Sequence, residues 1–284
     1  MADLTRCNAE LDELLSCVES PKVAGADEEL FCGLDVGTAF IVLVAVDGEG
    51  HPRGCAYQFA DVVRDGMVVD YMGACDIARS LCEKLESQLG CELSQCAVAL
   101  PPGTEGLDGG VVKNVAESAG LDVTAVFDEP TAANFLIGAT DAAVVDIGGG
   151  TTGISIVEGG KVVESVDEST GGTHFSLVLA GAKGVSFDEA ELFKRDPANH
   201  AEVLPIVRPT IDKVASIIRR CVERHGTPEV VLVGGTAELA GIEQRVEKVL
   251  GLPATKPNHP MFVTPMGIAL GCLQRAKEDA GDGR

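Results

Sequence analysis

The sequence predicts an α/β protein built from two duplicated βββαβα domains that face each other across a cleft. Three observations carry this expectation. From Leu30 onward, apolar runs of strand length alternate with segments of helical periodicity. A shift of 111 positions (146 − 35) lays Asp35 on Asp146, Gly37 on Gly148, Asp47 on Glu158 and Gly48 on Gly159. Both copies then read strand, Asp-x-Gly turn, strand, acid-Gly turn, and a duplicated domain explains all four matches together.

The elements follow in order. Residues 1–20 read as a short amphipathic helix with Leu4, Cys7, Leu11, Leu14, Leu15 and Val18 on one face. Pro21 and Gly25-Ala26-Asp27 make a linker. Such a helix either docks on a partner or packs on its own domain. Helix and linker are expected over 1–28, the first domain over 29–140 and the second over 141–284, with a closing helix at 264–277 that returns to the first. In the first domain, Phe31–Asp47 holds two strands broken at Gly37-Thr38, and Gly54–Phe59 a third. A helix at Tyr71–Leu89, a strand at Gln95–Leu100, a helix over 108–119, a strand at Val123–Phe127 and a helix at Pro130–Ile137 complete it. The second domain restarts with strands at Ala142–Asp146, Thr152–Val157 and Lys161–Val166. Helices near 172–182, 187–194 and 201–224, a buried strand at Val230–Val233 and helices near 238–249 and 264–277 follow, and Glu278–Arg284 reads as a polar tail.

Composition narrows the function classes. The hydrophobic fraction is 45%, which marks a globular chain. The 22 basic and 44 acidic residues leave a net charge of −22, which argues against nucleic acid or an anionic membrane as partner. No Trp and only two Tyr leave no aromatic platform for single strands. No apolar run reaches the roughly 20 residues of a membrane span. The first residues lack a secretory layout, and the ten cysteines form no C-x-x-C pair. They read as reduced, buried thiols, so a cytoplasmic location is expected.

Four segments carry the chemistry. In Asp35-Val36-Gly37-Thr38-Ala39, glycine lets the backbone turn tightly, successive N–H groups form an anion nest, and Thr38 adds a hydroxyl. In Asp146-Ile147-Gly148-Gly149-Gly150-Thr151-Thr152-Gly153, three consecutive glycines between apolar strands exceed what a plain hairpin needs. A carboxylate at the base of each loop suits Mg²⁺, which binds one or two carboxylates plus phosphates and keeps several waters. Glu129, in Phe127-Asp128-Glu129-Pro130-Thr131, stands where a strand gives way to a helix. It either positions an attacking water or simply balances the helix dipole. Val233-Gly234-Gly235-Thr236 ends a buried strand in a Gly-Gly that admits a flat ring or ribose, or else punctuates the strand.

Taken together, these segments resemble the superfamily of actin, DnaK-type heat-shock chaperones and sugar kinases. The resemblance places a first phosphate loop at 33–47, connecting helices at 127–138 and 264–274, a second phosphate loop at 144–158 and an adenosine loop at 230–241. It implies the actin-like ATPase fold, two RNase H-like domains around a nucleotide cleft, with ATP and Mg²⁺ as cofactors. Asp35 and Asp146 would hold Mg²⁺ through waters, and Glu129 with Asp146 would serve catalysis. Gly37, Thr38, Gly148, Gly149, Gly150, Thr151 and Thr152 would cradle phosphates, and Gly171 and Gly172 the ribose. Gly234, Gly235 and Thr236 would take the adenosine, and Glu191 and Lys194 would reach ribose or adenine. Ala39 stands where DnaK-type proteins carry a second Thr, and their catalytic lysine has no counterpart, with Arg64 the nearest candidate cation. Slow ATPase activity, or binding with little turnover, is expected.

Ala60–Gly66, Pro101-Pro102-Gly103-Thr104, Glu117–Leu121 and Gly171-Gly172-Thr173-His174 with Leu179-Ala180-Gly181 narrow the resemblance to the EutJ family of ethanolamine-utilisation proteins. This implies a DnaK-like, chaperone-type protein that assembles or maintains microcompartment enzymes or shell proteins, its partners, and associates with the bacterial microcompartment. No DnaK-type peptide-binding domain is recognisable, so any substrate would bind a lobe surface or a partner. The alternatives are an actin-like scaffold or filament-forming ATPase, and a small-molecule kinase.

Overall fold

The structure, a computed structural model, describes residues 3–25, 28–64, 66–104 and 109–282. It divides into two compact units. The first holds Leu4–Gly138 and Phe262–Arg284, and the second Ala139–Met261.

The first unit opens with α1 (Thr5–Glu19). Its buried residues are Cys7, Leu11, Leu14 and Cys17, one helical stripe. That stripe packs on β3 (Pro52–Phe59), where the Cys17 thiol donates to the Pro52 carbonyl at 3.5 Å. The helix thus spends its apolar face on its own unit. β1 (Phe31–Val36), β2 (Phe40–Val46) and β3 form an antiparallel meander. A two-residue hairpin, β4 (Val63–Arg64) and β5 (Met67–Val68), follows before α2 (Tyr71–Leu89). β6 (Gln95–Leu100), α3 (Gly109–Ser118), β7 (Asp122–Asp128) and α4 (Glu129–Ile137) complete the first half of the chain. The sheet order is β3-β2-β1-β6-β7, with β6 and β7 parallel to β1. Position 108, the expected start of α3, lies outside the described residues, as do Ala26 and Asp27 of the linker and Asp65.

One face of this sheet buries Leu34, Ile41 and Leu43 against α2 and α3. The other is crossed closely by α9 (Val263–Asp282). Glycine makes that approach possible. A Cβ on Gly33 would lie 2.4 Å from the Ala269 nitrogen, and one on Gly267 would lie 2.0 Å from the Ala132 carbonyl of α4.

The second unit repeats the plan. β8 (Ala142–Ile147), β9 (Thr152–Glu158) and β10 (Lys161–Glu168) form the meander, α5 (Gly172–Lys183), α6 (Phe187–Arg195) and α7 (His200–His225) follow, and β11 (Val230–Val233), α8 (Ile242–Leu250) and β12 (Ala254–Thr255) close it. Its order, β10-β9-β8-β11-β12, matches the first sheet strand for strand. The register matches too. The pairs run from Phe31↔Val46 to Val36↔Ile41 in one sheet and from Ala142↔Val157 to Ile147↔Thr152 in the other, all displaced by the same 111 (146 − 35). The shift read from four residues therefore holds for every pair of the first hairpin. α5, α7 and α8 cover one face, burying Val145, Ile147, Ile154 and Ile156 with Phe175, Ile211 and Val246.

Two boundaries depart from expectation. The helix anticipated near 238–249 is split into a 3₁₀ turn, Gly235–Glu238, and α8. Gly241 separates them at φ +89°, and a Cβ there would lie 2.7 Å from Leu204 Cδ2. The anticipated tail at Glu278–Arg284 is helical to Asp282, where Gln274–Glu278 and Arg275–Asp279 contacts at i,i+4 carry the helix onward. Helix α7 keeps its course through Pro205 and Pro209.

The ten cysteines are free thiols, all buried except the half-buried Cys91. Burial pushes Cys7, Cys55 and Cys82 up to about 12, so these are inert packing groups. Among the described residues, no helix is long and apolar enough to cross a membrane.

Candidate functional site

The two Asp–Gly loops close with one device. The Gly37 N–H donates to the Phe40 carbonyl at 3.0 Å, and the Gly148 N–H donates to the Thr151 carbonyl at 3.0 Å. Both positions differ by the repeat shift, so the turn geometry is duplicated along with the strands. Asp35 and Asp146 each stand one residue before the end of the leading strand. Thr38 lies in the first turn, half-buried.

In the second unit the loop is braced from two sides. The Gly172 N–H donates to the Gly148 carbonyl at 2.9 Å, and the Thr173 N–H donates to the Gly149 carbonyl at 2.8 Å. The start of α5 thus holds both carbonyls. In a planar trans peptide the N–H of the next residue points away from the carbonyl, so the N–H groups of Gly149 and Gly150 are turned away from the start of α5. Successive N–H groups turned to one side are what an anion nest requires. Thr151 and Thr152 follow, both buried. The Thr152 hydroxyl donates to the Thr170 carbonyl at 2.6 Å.

Gly234, Gly235 and Thr236, expected from the resemblance to take the adenosine, serve the same brace. The Thr236 hydroxyl donates to the Gly148 carbonyl at 2.7 Å, so that oxygen accepts both Thr236 and Gly172. Gly234 adopts φ +88°, and a Cβ on it would sit 2.1 Å from Asp146 Oδ1. Only glycine lets the end of β11 lie against that carboxylate, which is 6% exposed. Gly235 opens the 3₁₀ turn that carries Thr236. Gly171 is as tightly held: its Cβ would lie 2.8 Å from both the Gly148 and Gly149 carbonyls.

Glu191 and Lys194, on α6, form a part-buried polar cluster with α5. Lys194 Nζ donates to Glu191 Oε2 at 2.7 Å, to Ser176 Oγ at 2.8 Å and to the Gly172 carbonyl at 3.0 Å. The Ser176 hydroxyl donates to the same Glu191 oxygen at 2.5 Å. Burial lowers the Lys194 pKa, and the Glu191 charge works against that shift. A Cβ on Gly172 would come within 3.1 Å of Lys194 Nζ. Gly172 and the Lys194–Glu191 pair, singled out separately in the sequence, are therefore neighbours.

Glu129 begins α4 in the first unit. The capping role goes to Asp128, which accepts the Thr131 N–H at 2.9 Å, with Pro130 in the first turn. Arg64 lies on the exposed hairpin, 3.8 Å from Asp61.

Sequence reasoning missed Asp167, on β10. Burial pushes its carboxyl up to about 6, opposed by a Thr151 side-chain hydrogen bond and reinforced by the Asp146 charge. Its Oδ1 is buried with no hydrogen-bond partner. The only sequence signal was an acid at the end of a strand. Its place beside Asp146 depends on which strands pair. An all-oxygen donor set with an orphaned buried carboxylate oxygen fits the preferences of Mg²⁺.

Two matched five-stranded sheets, each opened by the same Asp–Gly hairpin, define a protein of the actin-like ATPase fold. Two family models agree: MreB/Mbl protein over residues 58–179 and cell division protein FtsA over residues 143–267. MreB 5 of Spiroplasma citri bound to AMPPNP shares the fold at TM-score 0.69 and 16% identity, over 90% of this chain and 99% of that one. The chain belongs to the EutJ family of ethanolamine utilization proteins. It is 44% identical over 254 residues to EutJ of Salmonella typhimurium, covering 89% of this chain and 88% of that protein. It is also 44% identical to the crystal structure of EutJ from Carboxydothermus hydrogenoformans, at TM-score 0.86 over 93% of this chain and 97% of that one.

Proposed function

We propose that this chain binds ATP with Mg²⁺ and uses it, as a DnaK-like chaperone-type factor of ethanolamine utilisation, to assemble or maintain microcompartment enzymes or shell. The observation that carries the nucleotide half is the braced glycine loop, whose Gly148 and Gly149 carbonyls accept from the start of α5, so that peptide planarity leaves the following N–H groups to a ligand. The MreB 5 structure with AMPPNP supports it by fold. The ethanolamine half rests on EutJ family membership.

In the second unit, the N–H groups of Gly149 and Gly150 with Thr151 and Thr152 take phosphate oxygens, and Asp146 anchors the water shell of Mg²⁺. Gly171, Gly172, Glu191 and Lys194 border the ribose and base, and Gly234, Gly235 and Thr236 the adenosine. In the first unit, Asp35, Gly37 and Thr38 keep the metal-water and phosphate roles that the resemblance assigns, and Glu129 orients the attacking water. Mg²⁺ supplies charge neutralisation at the phosphates. Turnover is slow, because no lysine stands in for the chaperones' catalytic cation.

Calorimetry with ATP and Mg²⁺ tests the nucleotide half. Asp146→Ala is expected to weaken binding about 10-fold or more, and equal affinities would overturn the assignment. Capture of ethanolamine-utilisation enzymes or shell proteins with ATP but not without it supports the chaperone reading. ATP-dependent pelleting of the pure chain favours an actin-like scaffold instead.

A further inference from the structure

Strand pairing sets three residues of the second unit in one row. Asp146 on β8 faces Gly153 on β9, and Gly153 faces Asp167 on β10. Directly paired residues share one side of a sheet. Both carboxylates therefore stand on the side opposite to Val145, Ile154 and Val166, which pack into the α5–α7–α8 core. Two strand spacings separate their Cα atoms by about 10 Å. Between them, Gly153 contributes no side chain.

The first unit holds the same row with different chemistry: Asp35 faces Val42, and Val42 faces Tyr57. There a valine occupies the middle and an aromatic ring the third strand. The hairpins are otherwise superposable in register, so this row marks where the two copies diverge. Only the second has two acids flanking a gap.

One oxygen of Asp167 is left wanting, although the residue also bonds the Thr151 side chain and the Glu168 backbone. Its Oδ1 is buried without a hydrogen bond, and the charges acting on it, Asp146 and Glu168, are both acidic. A buried carboxylate oxygen without a donor is costly. Lys194 does not relieve it, since its ammonium is shared among Glu191, Ser176 and the Gly172 carbonyl.

We propose that Asp167 is the second anchor of the hydrated Mg²⁺ in this unit, a positioning carboxylate that accepts hydrogen bonds from metal-bound water across the gap at Gly153. This rests on the nucleotide reading above. Neither the repeat nor the phosphate loop assigns this role, because Asp167 lies in neither motif.

The test uses the full chain. ATP affinity is measured by calorimetry across a Mg²⁺ series and in EDTA, for wild type, Asp167→Asn and Gly153→Val, with thermal melts without nucleotide to report folding. Asp167→Asn is expected to need about tenfold more Mg²⁺ for the half-maximal gain in affinity, with affinity in EDTA unchanged or higher. Gly153→Val, which installs the first unit's side chain, is expected to show the same loss. A Mg²⁺ dependence for Asp167→Asn that superimposes on wild type would overturn the inference while leaving the nucleotide reading intact. No Mg²⁺-dependent binding by wild type would overturn that reading, and this inference with it.

Discussion

Gly234 and Asp146 show how tightly the loop residues constrain one another. A Cβ at position 234 would lie 2.1 Å from Asp146 Oδ1, and φ is +88°. Gly234→Ala is therefore expected to cost roughly 2–4 kcal/mol by urea denaturation and to abolish Mg²⁺-dependent nucleotide binding. Asp167 behaves in the opposite sense. Its folded-state pKa, about 6, lies above the ordinary 3.8. The folded state holds that proton more tightly, so this group opposes folding increasingly as pH rises from about 4 to about 6 and fully above it. After allowing for solvent screening, Asp167→Asn is expected to stabilise the nucleotide-free chain by about 1–2 kcal/mol at pH 7.5, with no gain at pH 3.5. Thermal melts at the two pH values check this. A variant that is more stable yet binds Mg²⁺ less well is the signature of a group retained for function.

At the scale of elements, helix α9 depends on glycine. Its Gly267 Cβ position lies 2.0 Å from the Ala132 carbonyl, and a Cβ at Gly271 would lie 2.6 Å from the Phe127 ring. Gly267→Ala must part α4 from α9 and is expected to lower stability by about 3 kcal/mol or more, read as the urea midpoint. The α5–α6 cluster makes another prediction. Lys194→Ala leaves the Glu191 carboxylate, 16% exposed, without its cation. It is expected to cost about 3–5 kcal/mol, and the double variant with Glu191→Gln less than the sum. Most of this architecture was legible in the sequence, because Gly37, Gly148 and the Gly234-Gly235 pair punctuate runs of strand length. The boundary errors have local causes: Gly241 in a left-handed conformation splits one helix, and an i,i+4 ion pair and hydrogen bond prolong another beyond its apolar stripe. The loop half of the candidate site was legible for the same reason. Asp167 was not, because its neighbour is chosen by sheet pairing rather than by spacing along the chain.

For the whole molecule, the net charge of −22 is the dominant long-range force. Self-repulsion at that charge destabilises the compact state, and salt screens it over about 10 Å at 0.1 M. Raising NaCl from about 20 mM to about 200 mM is expected to raise the melting temperature, and any pelleting with ATP is expected to strengthen with salt. Bound nucleotide adds stability by mass action, about 2.7 kcal/mol at a ligand concentration 100 times the dissociation constant. The family models meet in the middle of the chain, MreB/Mbl ending at residue 179 and FtsA beginning at 143, so the braced loop falls within both.

The Gly148 carbonyl, which accepts both Gly172 and Thr236, has a consequence for the order of events in synthesis. Thr236 is 88 positions downstream of Gly148. Contacts so distant in sequence close late, since the chain entropy lost in joining them precedes any gain. During translation the Gly148–Gly150 loop is made early but does not receive its Thr236 hydrogen bond until β11 and the turn after it have left the ribosome. The brace on the Gly148 loop is thus completed late in folding, after Thr236 has emerged.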